Sequence, residues 1–156
     1  MSTPFSNIYN LFLDSISDYT FLDLDIDVKN SILKGYLIKA AINFKKSNTD
    51  LSRNDDTEVF TNDLTEEEQF ILSQYMVMFW MIQQIYNINL LRQRMSSKDF
   101  KLTSQAQHLE TLLKLKKEHR KEIDSLVRKY VNDLYNLDDD LEWYKLIIMQ
   151  FLINFF

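Results

Sequence analysis

The chain has 156 residues, of which 46% are hydrophobic and 26% charged, and its formal net charge is −5. These values fit one folded domain with a real core and exclude general disorder. Single glycine and proline residues favour long helices over a turn-rich β architecture, and the lack of cysteine excludes disulfides and thiolate chemistry. No secretory leader and no apolar run of about 20 residues is visible, so we expect a soluble chain of cytoplasmic origin.

The first 44 residues predict two helices. Pro4 suits a first helical turn, and Phe21 to Val28 alternate apolar and acidic residues without an obvious partner strand, which favours a lead-in capped by Asp27. Gly35 interrupts the second helix at a cost of about 1 kcal/mol relative to alanine, which suggests close packing there. Apolar residues recur at helical spacing in two stripes: Phe5, Ile8, Tyr9, Phe12, Leu13, Ile16; and Val28, Ile32, Leu33, Tyr36, Leu37, Ala40, Phe44.

A polar connector from Lys45 to Asp63 precedes the third helix. Thr65 and Glu68 form a capping box, so a helix is predicted to begin near Leu64. From Tyr75 to Ile82 no charged side chain occurs. Because successive helical residues point about 100° apart, these eight residues cover the whole circumference of the helix. Either several helices of this chain surround the segment, or other subunits complete the cover.

A break is predicted at Met95 to Thr103. The longest helix follows it: Ser104 together with Gln107 caps its start, and the helix is predicted to run to about Tyr135. Charged residues between Leu115 and Ile123 predict that its middle leaves the core. Asp138 to Asp140 are expected to cap a separate, largely apolar final segment. The predicted apolar stripe is Leu109, Leu112, Leu113, Ile123, Leu126, Val127, Tyr130 and Leu134.

These elements predict an all-α fold: a small bundle of four to five helices with a long polar loop and an apolar C-terminal arm. The domain is expected to span 1–135, with the loop at 45–63 and the arm at 136–156. The arm and the Tyr75–Ile82 segment are two broad apolar stretches for a small domain to cover. Large exposed apolar patches mark partner surfaces, so the pattern favours assembly with other subunits.

No constellation for catalysis, cofactor binding or metal binding is present. One glycine cannot build a phosphate-binding loop, and His108 and His119 stand eleven residues apart on one predicted helix, too far to share a metal. The carboxylate clusters lie in loops or first turns, where capping explains them. His119 is interpreted as a half-buried member of the apolar stripe. We therefore predict a protein that is not an enzyme and has no cofactor.

The basic residues concentrate in the long helix, at Lys114, Lys116, Lys117, Arg120 and Lys121. Such a row could follow nucleic-acid phosphates. Acidic residues interrupt and follow it at helical spacings, which favours a solvated, internally paired face. Weak binding of duplex DNA at most is predicted.

Four stretches together resemble a family of small helical head–tail connector (adaptor or neck) proteins of tailed bacteriophages. They are GYLIKAAINFKK, DLSRNDD, LTEEEQFILSQYMVMFW and LLRQRMSSKDFKLTSQAQHLETLLKLKK. The resemblance covers Tyr19 to Tyr135. It implies a virion protein, assembled in the bacterial cytoplasm, that forms a dodecameric ring between the portal and the next neck or tail protein. DNA would pass through the lumen without specific binding, and no membrane would be involved.

Three hypotheses about contacts follow from this reading. The Tyr75–Ile82 helix forms the subunit core and part of the ring contact, the connector reaches the portal or a neighbouring subunit, and the arm locks onto an adjacent chain. The candidate interface residues are Tyr75, Met78, Phe79, Trp80, Trp143, Ile147, Phe151, Phe155 and Phe156; the candidate portal-contact residues are Leu51, Arg53 and Phe60. The alternatives are a neck stopper or tail-completion protein, and a helical assembly chaperone or regulator absent from the virion.

Overall fold

The computed structural model describes residues 2–16, 21, 23–94 and 104–153, with side chains for 2–16, 21, 23–90, 92 and 106–135. These ranges contain the helices α1 (Phe5–Ser15), α2 (Ile26–Asn43), α3 (Glu66–Arg94) and α4 (Ser104–Ile153). They also contain the strands β1 (Thr3–Pro4), β2 (Arg53–Asn54) and β3 (Val59–Phe60). The prediction of a mostly helical fold is confirmed, and the described part holds four helices and a small sheet. The predicted break at 95–103 lies outside the described residues.

Helix α3 is the centre of the fold, because α1, α2 and α4 all pack against it. Tyr75, Met76, Val77 and Met78 are buried in the core, and the four residues after them pack partly buried against it. The chain's own helices therefore cover most of the uncharged Tyr75–Ile82 segment. Helices of the same chain thus account fully for the first half of the segment, and its second half keeps some exposed area.

Aromatic rings join the helices around the core. The Phe44 ring lies between Tyr75 of α3 and Tyr130 of α4, with ring centroids 6.2 Å and 5.5 Å away. The Phe12 ring of α1 lies 6.0 Å from that of Tyr36 in α2. Edge and tilted contacts of this kind contribute about 0.5–1.5 kcal/mol each beyond the burial of apolar area. The aromatic stripes read from the sequence therefore meet in one cluster.

The polar connector is more ordered than its composition suggested. The three strands form an antiparallel sheet in the order β1-β3-β2, with Phe60 paired to both Thr3 and Arg53. A four-residue turn, 55–58, joins β2 to β3, and Glu58 adopts a positive φ of 54° there. The prediction of an all-α chain missed this sheet because two-residue strands leave no periodicity to detect.

Two local expectations about α2 were wrong. Asp25 is the N-cap, since its side chain accepts a hydrogen bond from the Asp27 amide at 2.9 Å, and Asp27 already lies in the first helical turn. Gly35 is not a site of close packing, because a Cβ added there would meet nothing within 4 Å. The glycine is therefore a local cost that no described contact offsets.

Helix α4 differs from its prediction in two ways. It runs unbroken for 50 residues, about 75 Å at 1.5 Å per residue, so Asp138 to Asp140 lie inside it and do not cap a new helix. The charged middle also stays against the core, because His119 and Ile123 are both buried. One buried position in each turn suffices to hold a helix whose other faces are charged.

Candidate assembly surface

A buried carboxylate fixes the connector to the bundle. Glu68 is fully buried, and its oxygens accept hydrogen bonds from the Thr49 amide at 3.0 Å, the Thr49 hydroxyl at 2.9 Å and the Tyr130 hydroxyl at 2.6 Å. The Thr65 amide donates a fourth bond at 2.9 Å and the Glu68 amide donates back to Thr65 Oγ1 at 3.1 Å, which confirms the predicted capping box. The Ser47 hydroxyl lies 3.1 Å from the carboxylate.

Among the residues that the structure describes, the donors to this carboxylate are all neutral, and they hold it in its charged form. Burial raises the pKa of Glu68, but the hydrogen bonds from Tyr130, Thr65 and Thr49 outweigh burial and leave the pKa below its ordinary value. For Tyr130, burial and the bond to Glu68 raise the pKa to about 12. The two groups therefore stay a carboxylate and a phenol across the ordinary pH range.

Tyr130 extends the same network to a second element. Its hydroxyl accepts a hydrogen bond from the Asn48 amide at 2.8 Å while it donates to Glu68. One phenol of α4 thus joins the start of the connector to the start of α3. Because buried polar groups without partners are costly, this network defines a single position for the connector.

The predicted portal-contact residues do not share one exposed surface. Phe60 is fully buried, and its ring lies 5.1 Å from that of Phe5, so it anchors the connector to the core. Leu51 is partly buried against the core, and Arg53 is paired with Asp55 at 3.1 Å. Phe60 is therefore a core residue in this structure, and a contact between this loop and the portal stays a prediction. The exposed tip of the connector is instead 54–57.

The predicted interface residues of α3 are divided between the core and its edge. Tyr75 and Met78 are buried among the chain's own helices, whereas Phe79 and Trp80 are partly buried at the border of the core. For Trp143, Ile147 and Phe151 the structure describes the backbone only, and Phe155 and Phe156 lie outside the described residues. Phe79 and Trp80 thus remain the members of the described set with exposed area.

The far end of the bundle, away from the connector, consists of the C-terminal half of α3 and the first turns of α4. The two helices pack on each other there through a second apolar cluster of Ile85, Ile88, Leu109 and Leu112. Helices of 11 and 18 residues, as in α1 and α2, span only about 16 and 27 Å against about 43 Å for α3. Apolar side chains near this cluster are largely exposed: Tyr86 62%, Leu90 58%, Leu113 48%.

A basic hollow borders this apolar end on α4. It is a shallow, open depression of about 400 Å³ on one face of α4, lined by Leu113, Lys116, Lys117, Arg120 and Lys121. Arg120 pairs with Asp124 at 3.2 Å, and among the described side chains no carboxylate lies in ion-pair distance of the three lysines. The expected internal pairing of this face is therefore realised at Arg120 alone.

His119 occupies the place expected for a stripe histidine. Its Nε2 lies 2.9 Å from the Gln74 carbonyl, which can only accept, so Nε2 carries a proton. Its Nδ1 lies 3.3 Å from the exposed Glu122 carboxylate. The side chain joins α4 to α3 by a directional bond, in addition to the bond from Tyr130 to Glu68.

Within the described ranges, no group of three or more His, Asp or Glu side chains could hold a metal ion, and no helix is long and apolar enough to cross a membrane. No protein-family model, curated protein or solved structure matches this chain. The candidate site is therefore defined by surface chemistry: exposed apolar residues at the far end of the α3–α4 hairpin, the basic hollow beside them and the extension of α4.

Sequence reasoning identified Glu68 as a cap but missed its burial. The alternation of Ser47 and Thr49 ahead of a capping box was the available signal, since both supply donors to the same carboxylate. The exposure of Tyr86 and Leu90 was also missed. Their apolar character predicts burial, whereas the structure leaves both largely exposed although the neighbouring Ile85 and Ile88 are buried.

Proposed function

We propose that this chain is a structural, non-enzymatic subunit of the neck of a tailed bacteriophage. In this role it forms a ring between the portal and the next neck or tail protein, extends the DNA channel and offers a docking surface. The proposal rests on the family resemblance of residues 19–135 and on the distribution of apolar sequence described above. A net charge of −5 also suits a lumen through which duplex DNA slides without strong attachment.

The single observation that carries the proposal is the length of α4. This helix runs as one element from Ser104 to Ile153, so the C-terminal extension continues the same helix that packs on the core through Ile123, Tyr130 and Leu134. The sequence of the extension, LEWYKLIIMQFLI from Leu141, is largely apolar. A helical rod of this composition is stabilised when another polypeptide covers it, and in a ring each subunit covers its neighbour by a heterologous contact.

A truncation tests this role. Deleting Leu146–Phe156 is expected to abolish incorporation into portal-bearing heads, scored by infectious particles after complementation of heads that lack the protein. A full-length control with Tyr135→Phe, at a position 68% exposed, is expected to assemble normally. Thermal unfolding of both variants separates loss of assembly from loss of folding. Infectious particles built with the truncated chain would contradict the proposal.

A helical assembly chaperone is the second candidate, because exposed apolar residues at the hairpin also suit a transient partner. Mass spectrometry of purified virions distinguishes the two roles. A neck subunit is present in finished particles in ring stoichiometry, whereas a chaperone is absent from them. A stopper or tail-completion protein would be present but would contact the tail side, which a reconstruction of the neck would reveal.

A further inference from the structure

The extension of α4 and the basic hollow of α4 are complementary in charge and in apolar character. The hollow presents three lysines and an arginine beside the half-exposed Leu113. The first turns of the extension read LDDDLEW from Leu137 to Trp143, with four acidic residues among three apolar ones. Ion pairs flanking apolar contacts are the usual way in which helices select their partners and fix their register.

The complementarity cannot be satisfied within one molecule. Both features belong to one continuous helix, and Asp139 lies 22 residues beyond Lys117, about 33 Å along the helix axis. Residues on one straight helix cannot approach each other without breaking it. Satisfying the hollow with this segment therefore requires another copy of the chain.

We propose that the acidic and apolar segment Leu137–Trp143 of one copy docks in the basic hollow of a second copy. The inference rests on the proposed function, in which the arm of each subunit contacts its neighbour, and it names the surface on which the arm lies. Each copy offers one hollow and one segment. A parallel, shifted arrangement would continue from subunit to subunit until a ring closes, whereas an antiparallel arrangement would pair two copies.

Disulfide trapping tests the contact directly, because the natural chain has no cysteine. Lys117→Cys and Asp139→Cys chains, mixed at the highest soluble concentration under mild oxidation, are expected to give a 117–139 disulfide as the main product. The matched control pairs Lys117→Cys with Asp133→Cys, an exposed acidic position on the same helix but outside the segment. Equal yields from both pairs, or no disulfide from either, would overturn the inference.

Charge reversal provides an independent measurement. K117E/K121E and D139K/D140K chains are each expected to self-associate at least about 10-fold more weakly than the natural chain at low ionic strength. An equimolar mixture should regain most of the affinity, as measured by sedimentation equilibrium. A mixture no tighter than either variant contradicts the docking. Duplex DNA binding lost in K117E/K121E, without self-association of the natural chain, would assign the hollow to nucleic acid and would also contradict it.

The outcome for the docking contact is separable from the outcome for the proposed function. A trapped pair that closes as a two-fold dimer supports the contact and contradicts the ring. If the K117E/K121E chain is incorporated into necks as well as the natural chain, the result supports the ring and contradicts the contact.

Discussion

The two ends of the bundle satisfy their chemistry in different ways. Where the connector meets α3 and α4, Glu68 and Tyr130 bond to groups of the same chain, and Phe44 packs between two aromatic rings. At the far end two helices meet through four buried apolar residues, and Tyr86 remains 62% exposed nearby. The first end therefore supplies stability and a defined geometry, while the second leaves apolar side chains exposed.

The largest expected effect on stability lies at the end where the connector meets α3 and α4. Glu68→Ala leaves the buried donors of Thr49, Thr65 and Tyr130 without their acceptor, and we expect a loss of about 4 kcal/mol in the free energy of unfolding. Urea denaturation monitored by circular dichroism measures it. Glu66→Ala, at an exposed position of the same helical turn, is the control and should change stability little. A small loss in Glu68→Ala would show that water replaces the carboxylate.

Two adjacent leucines test the far end. Leu112 is 4% exposed and Leu113 is 48% exposed. Leu112→Ala should cost about 3 kcal/mol through the cavity it leaves, whereas Leu113→Ala should cost less than about 1 kcal/mol. Hydrogen exchange of α3 and α4 amides in both variants shows whether the loss is local or global. Equal costs would contradict the different burial of Leu112 and Leu113 and the packing described for this end.

Two tyrosines give opposite expectations for the same change. Tyr130→Phe removes the bonds to Glu68 and Asn48 and should cost about 2 kcal/mol, since one partner is charged. The Tyr9 hydroxyl is buried, with no hydrogen-bond partner among the described residues. Tyr9→Phe should therefore leave stability unchanged or raise it by up to about 1 kcal/mol. Thermal unfolding of both variants measures the contrast, and a destabilised Tyr9→Phe would reveal a partner for that hydroxyl.

The pH dependence of stability should report the same network. Because the pKa of Glu68 is lowered from its ordinary 4.5, its contribution is fully present above that value and is lost as pH falls through the lower, folded-state pKa. Because the pKa of Tyr130 is raised from 10.0 to about 12, its contribution is present below 10 and is lost as pH rises towards 12. Tyr130→Phe should reduce the alkaline loss, and a remainder is expected because burial also raises the pKa of Tyr9 and of Tyr75. Glu68→Gln should remove the acidic loss that Glu68 causes. Unchanged slopes of unfolding free energy against pH in these variants would contradict this assignment.

The smallest expected effect on stability is at Gly35 of α2, which is part of neither end compared above. Gly35→Ala should raise the free energy of unfolding by about 0.5–1 kcal/mol, because alanine is the better helix former and its Cβ meets nothing within 4 Å. Ala41→Gly on the same helix is the reverse control. A loss of stability in Gly35→Ala would contradict the open space around this position.

Local patterns predicted what depends on neighbouring residues. The capping box at Thr65 and the stripes of α1 and α2 were read directly, because helical periodicity and capping are properties of short segments. The connector was misread as a plain polar loop, since Phe60 finds its place only when the strands bring it against Phe5. The exposed hairpin was not foreseen, because exposure there depends on where other helices end.

By itself, the sequence determined a helical chain with a well-specified start of α3 and with two broad apolar stretches, Tyr75–Ile82 and the C-terminal arm. Only the tertiary structure decided that Glu68 is a buried charge held by neutral donors, that α4 is one rod to Ile153 and that the lysine hollow borders the uncovered end. The physical reason is that periodicity gives each helix its apolar face, whereas burial depends on which other segments reach that face and how far they extend along it.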